Sequence, residues 1–345
     1  MQHPSLRRPL AAAVIAASGF ALAWSAQTWA EDATTAKPQV VELITLGTIA
    51  GPPPTVDRTQ NSQMLVVGGT PYLIDAGENV TRRIKQAGLD LKKVKTLFIT
   101  HPHGDHTHGL PALLSTQWYY GANSMAIYGP PGTAELTNAA IDFIDIDTRI
   151  RQADEASSPV DLHALFKVTD VGTGQVYKDG NITVSAVENS HFQFPKGSPL
   201  IGKYKSYSYR FVTSDGRTIV FTGDTGVTED VTRLAKGADV LVAECLALDE
   251  IRARREKTGT WQAMSKEQQE GWYHHMQKEH ITPEQAGELA RDAGVGMLVL
   301  THISSGGVVG DDYIRYAQDA ARHFHGLIVV AHDGMKFDVR KANGI

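Results

Sequence analysis

Short apolar runs separated by turn residues pattern most of the chain. The first third holds VVELITLG (40–47), QMLVVGG (63–69), TPYLIDAG (70–77) and KTLFIT (95–100), all of strand length. Later runs of the same kind are MAIYGPP, ITVSAVENSH, SYSYRFVT, RTIVFTGD, DVLVAE, GMLVLTH and GLIVVAHDG. Between them the pattern lengthens to that of amphipathic helices. These are NVTRRIKQAG with Gly88 just past its end, GLPALLSTQWYYG, GTAELTNAAIDFIDIDTRI, EDVTRLAKG, TPEQAGELARDAG and DDYIRYAQDAARHF. Strands dominate each half at first and helices are interleaved later. That order predicts an α/β fold of four layers, two sheets face to face with helices outside. Neither an internal repeat nor a low-complexity linker divides residues 39–345, so one domain is expected there. The polar clusters THPHGDH, ENSH, TGD and THIS all sit at the C-terminal ends of strands, where a rigid scaffold presents chemistry.

Composition narrows the picture only in places. Of 345 residues 42% are hydrophobic and 21% charged, and the net charge is -5 with no long basic run, which argues against a general nucleic-acid binder. Residues 1–30 differ from the rest: Arg7 and Arg8 precede the apolar LAAAVIAASGFALAWSA, and Thr28 and Ala30 occupy the small-residue positions of a cleavage site. A cleaved signal peptide over 1–30, a flexible start over 31–38, and a periplasmic or secreted chain with no membrane attachment are the expectation. The single cysteine, Cys245, permits no internal disulfide and is expected to lie buried in VLVAECLAL.

The stretch THPHGDHTHG gathers four histidines and an aspartate in ten residues. In an extended loop His101 and His103 can reach one ion from the same side, and Asp105 and His106 can aim at a second. Imidazole and carboxylate without thiolate suit zinc and tolerate iron or manganese. His108 is expected at the rim of the pocket. His274 and His275 fall in a polar helix whose simplest reading is a solvated surface, and His163, His323, His325 and His332 show no partner pattern.

H-x-H-x-D-H is the signature of the metallo-β-lactamase-fold hydrolases, and the chain after residue 30 resembles that family over nearly its whole length. The resemblance implies a metallo-β-lactamase-like αββα sandwich of two mixed sheets. It also implies a dinuclear centre, two zinc ions per chain with manganese or iron as substitutes. By that likeness His101, His103 and His191 hold the first ion, Asp105, His106 and His302 the second, and Asp224 bridges them. A hydroxide shared by the ions would attack an electrophilic centre, with Asp105 as a candidate general base.

HITPEQAGELARDAG and the strand DVLVAEC look like the ribonuclease Z and arylsulfatase-like branch. There a histidine matching His280 assists the leaving group, and a glutamate matching Glu244 is its partner. The branch usually has histidine before that glutamate, and here Ala243 stands instead. A buried Glu244 is costly unless paired, and His280 would satisfy it. The simpler alternative makes His280 only the residue leading into the helix cap Thr282. LGTIAGPPPTVDRTQNSQMLV, YGPPGT and ARHFHGLIVVAHDGMKFDV are weaker matches to the same branch.

Substrates of the branch are phosphodiesters, including tRNA 3′ ends, and aryl sulfates. Export and the short HFQFPKGSPLIGKYKSYSYR segment, in place of an RNA-clamping arm, favour an exported hydrolase of small anionic esters. Aryl sulfates are expected first, a phosphodiesterase is the alternative, and no nucleic-acid polymer is expected as partner. Lys196, Lys203 and Lys205 could attract an anion, and Trp118, Tyr119, Phe192 and Phe194 could line an aryl pocket. A lactonase or β-lactamase is a weaker reading. A non-catalytic metal-binding protein would need lost ligands, and none is lost. A homodimer is expected only by analogy.

Overall fold

The computed structural model of the protein describes residues 39–156, 158–304 and 313–342. The signal-peptide expectation (1–30) and the start over 31–38 lie outside the described residues. The described residues from Gln39 onward form one compact unit.

The first part of the chain runs β1 (Val41–Gly47), β2 (Ser62–Val67), β3 (Thr70–Ile74), α1 (Val80–Gln86), β4 (Thr96–Phe98), α2 (Gly104–Thr107), α3 (Leu110–Tyr119), β5 (Met125–Gly129), α4 (Thr133–Asp154), α5 (Leu162–Leu165) and β6 (Phe166–Asp170). It continues with β7 (Gly174–Lys178), β8 (Ile182–Glu188), β9 (Tyr207–Thr213), β10 (Thr218–Phe221), α6 (Glu229–Ala235), β11 (Val240–Cys245), α7 (Leu248–Lys257) and α8 (Lys266–Lys278). It ends with α9 (Pro283–Ala293), β12 (Met297–Ile303), α10 (Tyr313–Ala321), β13 (Leu327–Val330) and β14 (Met335–Asp338). Two sheets of seven strands result, in the orders β14-β1-β2-β3-β4-β5-β6 and β13-β12-β11-β10-β9-β8-β7. Both are mixed: β3 to β6 and β10 to β13 run parallel, and the remaining neighbours run antiparallel.

The alternation of side chains along the strands builds the layers. In β1, Leu43 faces the other sheet while Ile44 and Leu46 face α1 and α3. In β12, Val299 points between the sheets while Leu298 and Leu300 pack on Ala286 and Ala290 of α9. Strands buried on both faces read as unbroken apolar runs, and the four-layer expectation is met. Cys245 is fully buried, as expected.

Local signals fix the segments that carry the site. Thr282 caps α9, its hydroxyl accepting from the Gln285 amide at 3.3 Å while Gln285 Oε1 accepts from the Thr282 amide at 2.9 Å. At the other end Gly294 takes the left-handed turn (φ 63°). The Gly/Pro loop after β1 is tied to the second sheet through its backbone: Ile303 N–H donates to Thr48 at 2.8 Å and Ala50 N–H to Ile303 at 3.1 Å. The C-terminal ends of β4, β10, β11 and β12 therefore meet at one edge, under that loop. Among the described residues no helix is long and apolar enough to cross a membrane.

Candidate metal centre and active site

The loop after β4 leads into α2 and sets His101, His103, Asp105 and His106 side by side. His191 follows β8, Asp224 follows β10 and His302 lies near the end of β12. Ligand atoms of His101, His103 and His191 all lie within 4.8 Å of one another, as do those of Asp105, His106, Asp224 and His302. Asp224 touches both groups. Its Oδ2 is 3.8 Å from His101 Nε2 and 3.2 Å from His302 Nε2, and its Oδ1 is 3.3 Å from His106 Nε2. All seven residues named from the sequence converge, and only His103 is exposed.

The donors fit a cation. His101 Nε2, His106 Nε2 and Asp224 Oδ1 are buried and make no hydrogen bond. Groups left so cost about 1–3 kcal/mol each, a cost that a shared cation removes. Burial pushes the imidazoles of His101 and His191 well below their usual pKa, which favours the neutral form with a lone pair on Nε2; that of His191 lies 2.9 Å from His103 Nδ1.

The other ring nitrogens are held from behind. His191 Nδ1 donates to the Glu279 carbonyl at 3.1 Å, which turns Nε2 inward. Behind His106 stands Asp75, a residue that sequence reasoning did not name. His106 Nδ1 lies 2.8 Å from Asp75 Oδ2, and Thr100 donates to Asp75 through both its amide (2.7 Å) and its hydroxyl (2.8 Å). The Thr100 hydroxyl also lies 3.1 Å from His101 Nδ1. One fully buried carboxylate thus orients a histidine of each group. Its only trace in the sequence is a charged residue closing the apolar run TPYLI.

Asp105 Oδ2 accepts from the Gly51 amide at 2.8 Å and lies 3.2 Å from His302 Nε2, so the Gly/Pro loop positions it. Burial alone would raise its carboxyl pKa, but His106 and His302 hold it well below the usual carboxylate range. His302 itself sits at φ 50°, left-handed for a non-glycine residue. The backbone bonds of its neighbour Ile303 to Thr48 and Ala50 hold it there.

Beside this cluster lies a second one. His280 Nδ1 is 2.7 Å from Glu244 Oε2, and Glu244 Oε1 accepts from the Thr225 amide at 2.6 Å. Both side chains are buried. Burial disfavours a charged His280, but the Glu244 carboxylate outweighs it and raises the pKa. His280 lines a cavity of about 370 Å³ together with Asp105, Asp224 and His302. It also precedes the cap Thr282, and its pairing with Glu244 is the one the sequence suggested.

Other expectations fare differently. His108 is exposed, 3.1 Å from Gln60, and lines neither cavity at the cluster. His274 is exposed, but His275 is half-buried, bonded to Glu279 at 2.7 Å, with its ring 5.0 Å from that of His280. Helical periodicity alone gave His275 no special place. Phe192 and Phe194 border the site, whereas Trp118 packs against the outer core and Tyr119 is exposed. Lys203 and Lys205 pair with Glu135 and Glu188 at 3.2 and 2.6 Å.

Residues 70–303 match the beta-lactamase superfamily domain. The ribonuclease Z of Mycolicibacterium gilvum is 30% identical over 270 residues, covering 76% of this chain and 84% of that one. A metallo-β-lactamase fold protein of Bacillus subtilis superposes with a TM-score of 0.61 at 18% identity, over 86% of this chain and 99% of its own. The short form of human tRNase Z gives 0.56 at 23%, over 87% and 99%. These likenesses correct two expectations. Aryl sulfate as first substrate, and a small ester with no nucleic-acid partner, are overturned by relatives that are ribonucleases Z. The physical reason is that sulfate and phosphate esters present similar tetrahedral anions to the same ligands. Net charge and segment length say nothing of the cavity walls. The chain belongs to the beta-lactamase superfamily, as a metal-dependent hydrolase with ribonucleases Z among its relatives.

Proposed function

We propose that the protein is a metal-dependent phosphodiesterase that hydrolyses RNA. The observation that carries the reading is the His280–Glu244 pair opening onto the cavity shared with Asp105, Asp224 and His302. The ribonuclease Z relatives support the choice of RNA. His101, His103 and His191 would hold one ion, Asp105, His106 and His302 a second, with Asp224 reaching both. Zinc suits these nitrogen and carboxylate donors, with manganese or iron as substitutes. When bound, the pair supplies activated water at neutral pH and positive charge opposite the phosphate.

The remaining work falls to the chain itself. Glu244 accepts the Nδ1 proton of His280, which leaves Nε2 to carry a proton toward the cavity. As the bond from phosphorus to the leaving oxygen breaks, that proton passes to the oxygen. The imidazole stays oriented by the carboxylate throughout. Leu246 N–H, bonded to the Ile281 carbonyl at 2.9 Å, keeps the strand end beside the histidine.

Stripping the metal from the protein is expected to abolish cleavage of an RNA oligonucleotide, and zinc, manganese or iron to restore it. In His280→Ala the kcat should fall about 10²–10⁴-fold with metal content unchanged. Cleavage that survives metal removal, or loss of metal in His280→Ala, contradicts the assignment.

A further inference from the structure

We propose that the cleft between Phe192, Phe194, Leu136, Leu200 and Tyr204 is a nucleobase subsite on one side of the scissile phosphate. This rests on the phosphodiesterase reading above. The cleft is a cavity of about 590 Å³ that opens from His103. Its aromatic wall begins at the metal ligands: the Phe192 ring is 5.0 Å from that of His103, and the Phe194 ring 5.5 Å from that of Phe192. Tyr204 closes the far side. It can approach only because residue 132 is glycine, where a Cβ would stand 2.5 Å from the tyrosine ring. The short segment after β8, which carries no arm, supplies Phe192, Phe194, Leu200 and Tyr204.

Charge decides what the cleft takes. Its ionisable walls include Glu135 and Glu279, and the nearby Lys203 is neutralised by Glu135 at 3.2 Å. Glu279 is likewise engaged, by His275 at 2.7 Å, so a phosphate would meet carboxylates whose partners are already taken up. A base offers a π-face to the phenylalanines and exocyclic amines to the carboxylates. The cavity of about 370 Å³ on the other side of His103 and His275 has Arg254 and Arg255 in its wall, together with Asp105 and Asp224 of the cluster. The two cavities share His103 and His275. A nucleotide chain with its scissile phosphate at the metal cluster would therefore place a base in one and its continuing backbone in the other.

The test is equilibrium binding to metal-loaded protein of two RNA dinucleotide probes with hydrolysis-resistant phosphorothioate linkages. One bears both bases, and the other is abasic at the nucleotide on the cleft side. The wild type should bind the base-bearing probe about tenfold more tightly, within what stacking on one aromatic side chain contributes. Phe194→Ala should lose that preference and Phe194→Trp should keep it. Equal affinity of the wild type for the two probes, or a preference intact in Phe194→Ala, overturns the subsite. Because the wild-type comparison needs no variant, a misfolded mutant does not rescue the proposal. Turnover of an ordinary RNA dinucleotide separates the two claims. Turnover without base preference removes the subsite alone, and base preference without turnover removes the phosphodiesterase reading alone.

Discussion

At the scale of single residues, the centre divides into side chains that would face bound ions and side chains that hold those in place. The facing set is compact in sequence: His101, His103, Asp105 and His106 occupy six positions, and no structural element of a soluble domain needs that grouping. That is why the sequence alone reveals it. Asp75 belongs to the holding set, and its partners Thr100 and His106 come 25 and 31 positions later, so nothing local marks it. Asp75→Asn keeps the shape but removes the charge that fixes both imidazoles. Metal affinity should fall about 10–100-fold, read by competition with a chelating dye. An unchanged affinity would show that Thr100 and the helix suffice. His275 was hidden for a different reason. In the polar helix EGWYHHMQKEH neither face is clearly apolar, so the side toward His191 and His280 cannot be told from the side toward water.

At the scale of elements, strands buried on both faces were legible because they are mostly apolar runs with few polar positions, and β1, β3, β10, β11 and β12 are of this kind. The edge strand β7 was not, since GQVYK carries no buried residue and its polarity reads as loop. Nor was α7, where LDEIRARREK buries nothing fully yet lines the smaller cavity. The turn after β10 shows how an element end serves the site. Gly223 adopts φ 57° beside Asp224, and a Cβ there would stand 2.9 Å from the Thr100 Cβ and 3.0 Å from the Tyr207 carbonyl. Gly223→Ala should therefore destabilise the fold by about 1–3 kcal/mol and reduce metal content, because it presses on Thr100 behind both histidines. Gly172→Ala meets no atom within 4 Å and serves as the control, with no resolved loss. A Gly223→Ala protein with wild-type melting temperature and metal content would contradict the packing described.

At the scale of the whole molecule, the two sheets bring four strand ends to one edge, and the Gly/Pro loop of the first sheet closes over the end of β12 in the second. The fold class could be foreseen from the order of strands and helices, and the metal ligands from their types. The substrate could not. Whether an ester is sulfate or phosphate is decided by what the cavities on either side of the cluster accept. Those walls are assembled from α4, the segment after β8, and α7 with α8, which are remote from one another in sequence. The central claim proposed above is that water attacks phosphorus beside the residues that would hold the ions, while His280 protonates the leaving oxygen. Its most direct test is cleavage of an RNA dinucleotide in ¹⁸O-labelled water, with the products analysed by mass spectrometry. The account predicts one labelled oxygen in a phosphate monoester product. An unlabelled 2′,3′-cyclic phosphate would show attack by the neighbouring hydroxyl instead, and would contradict it.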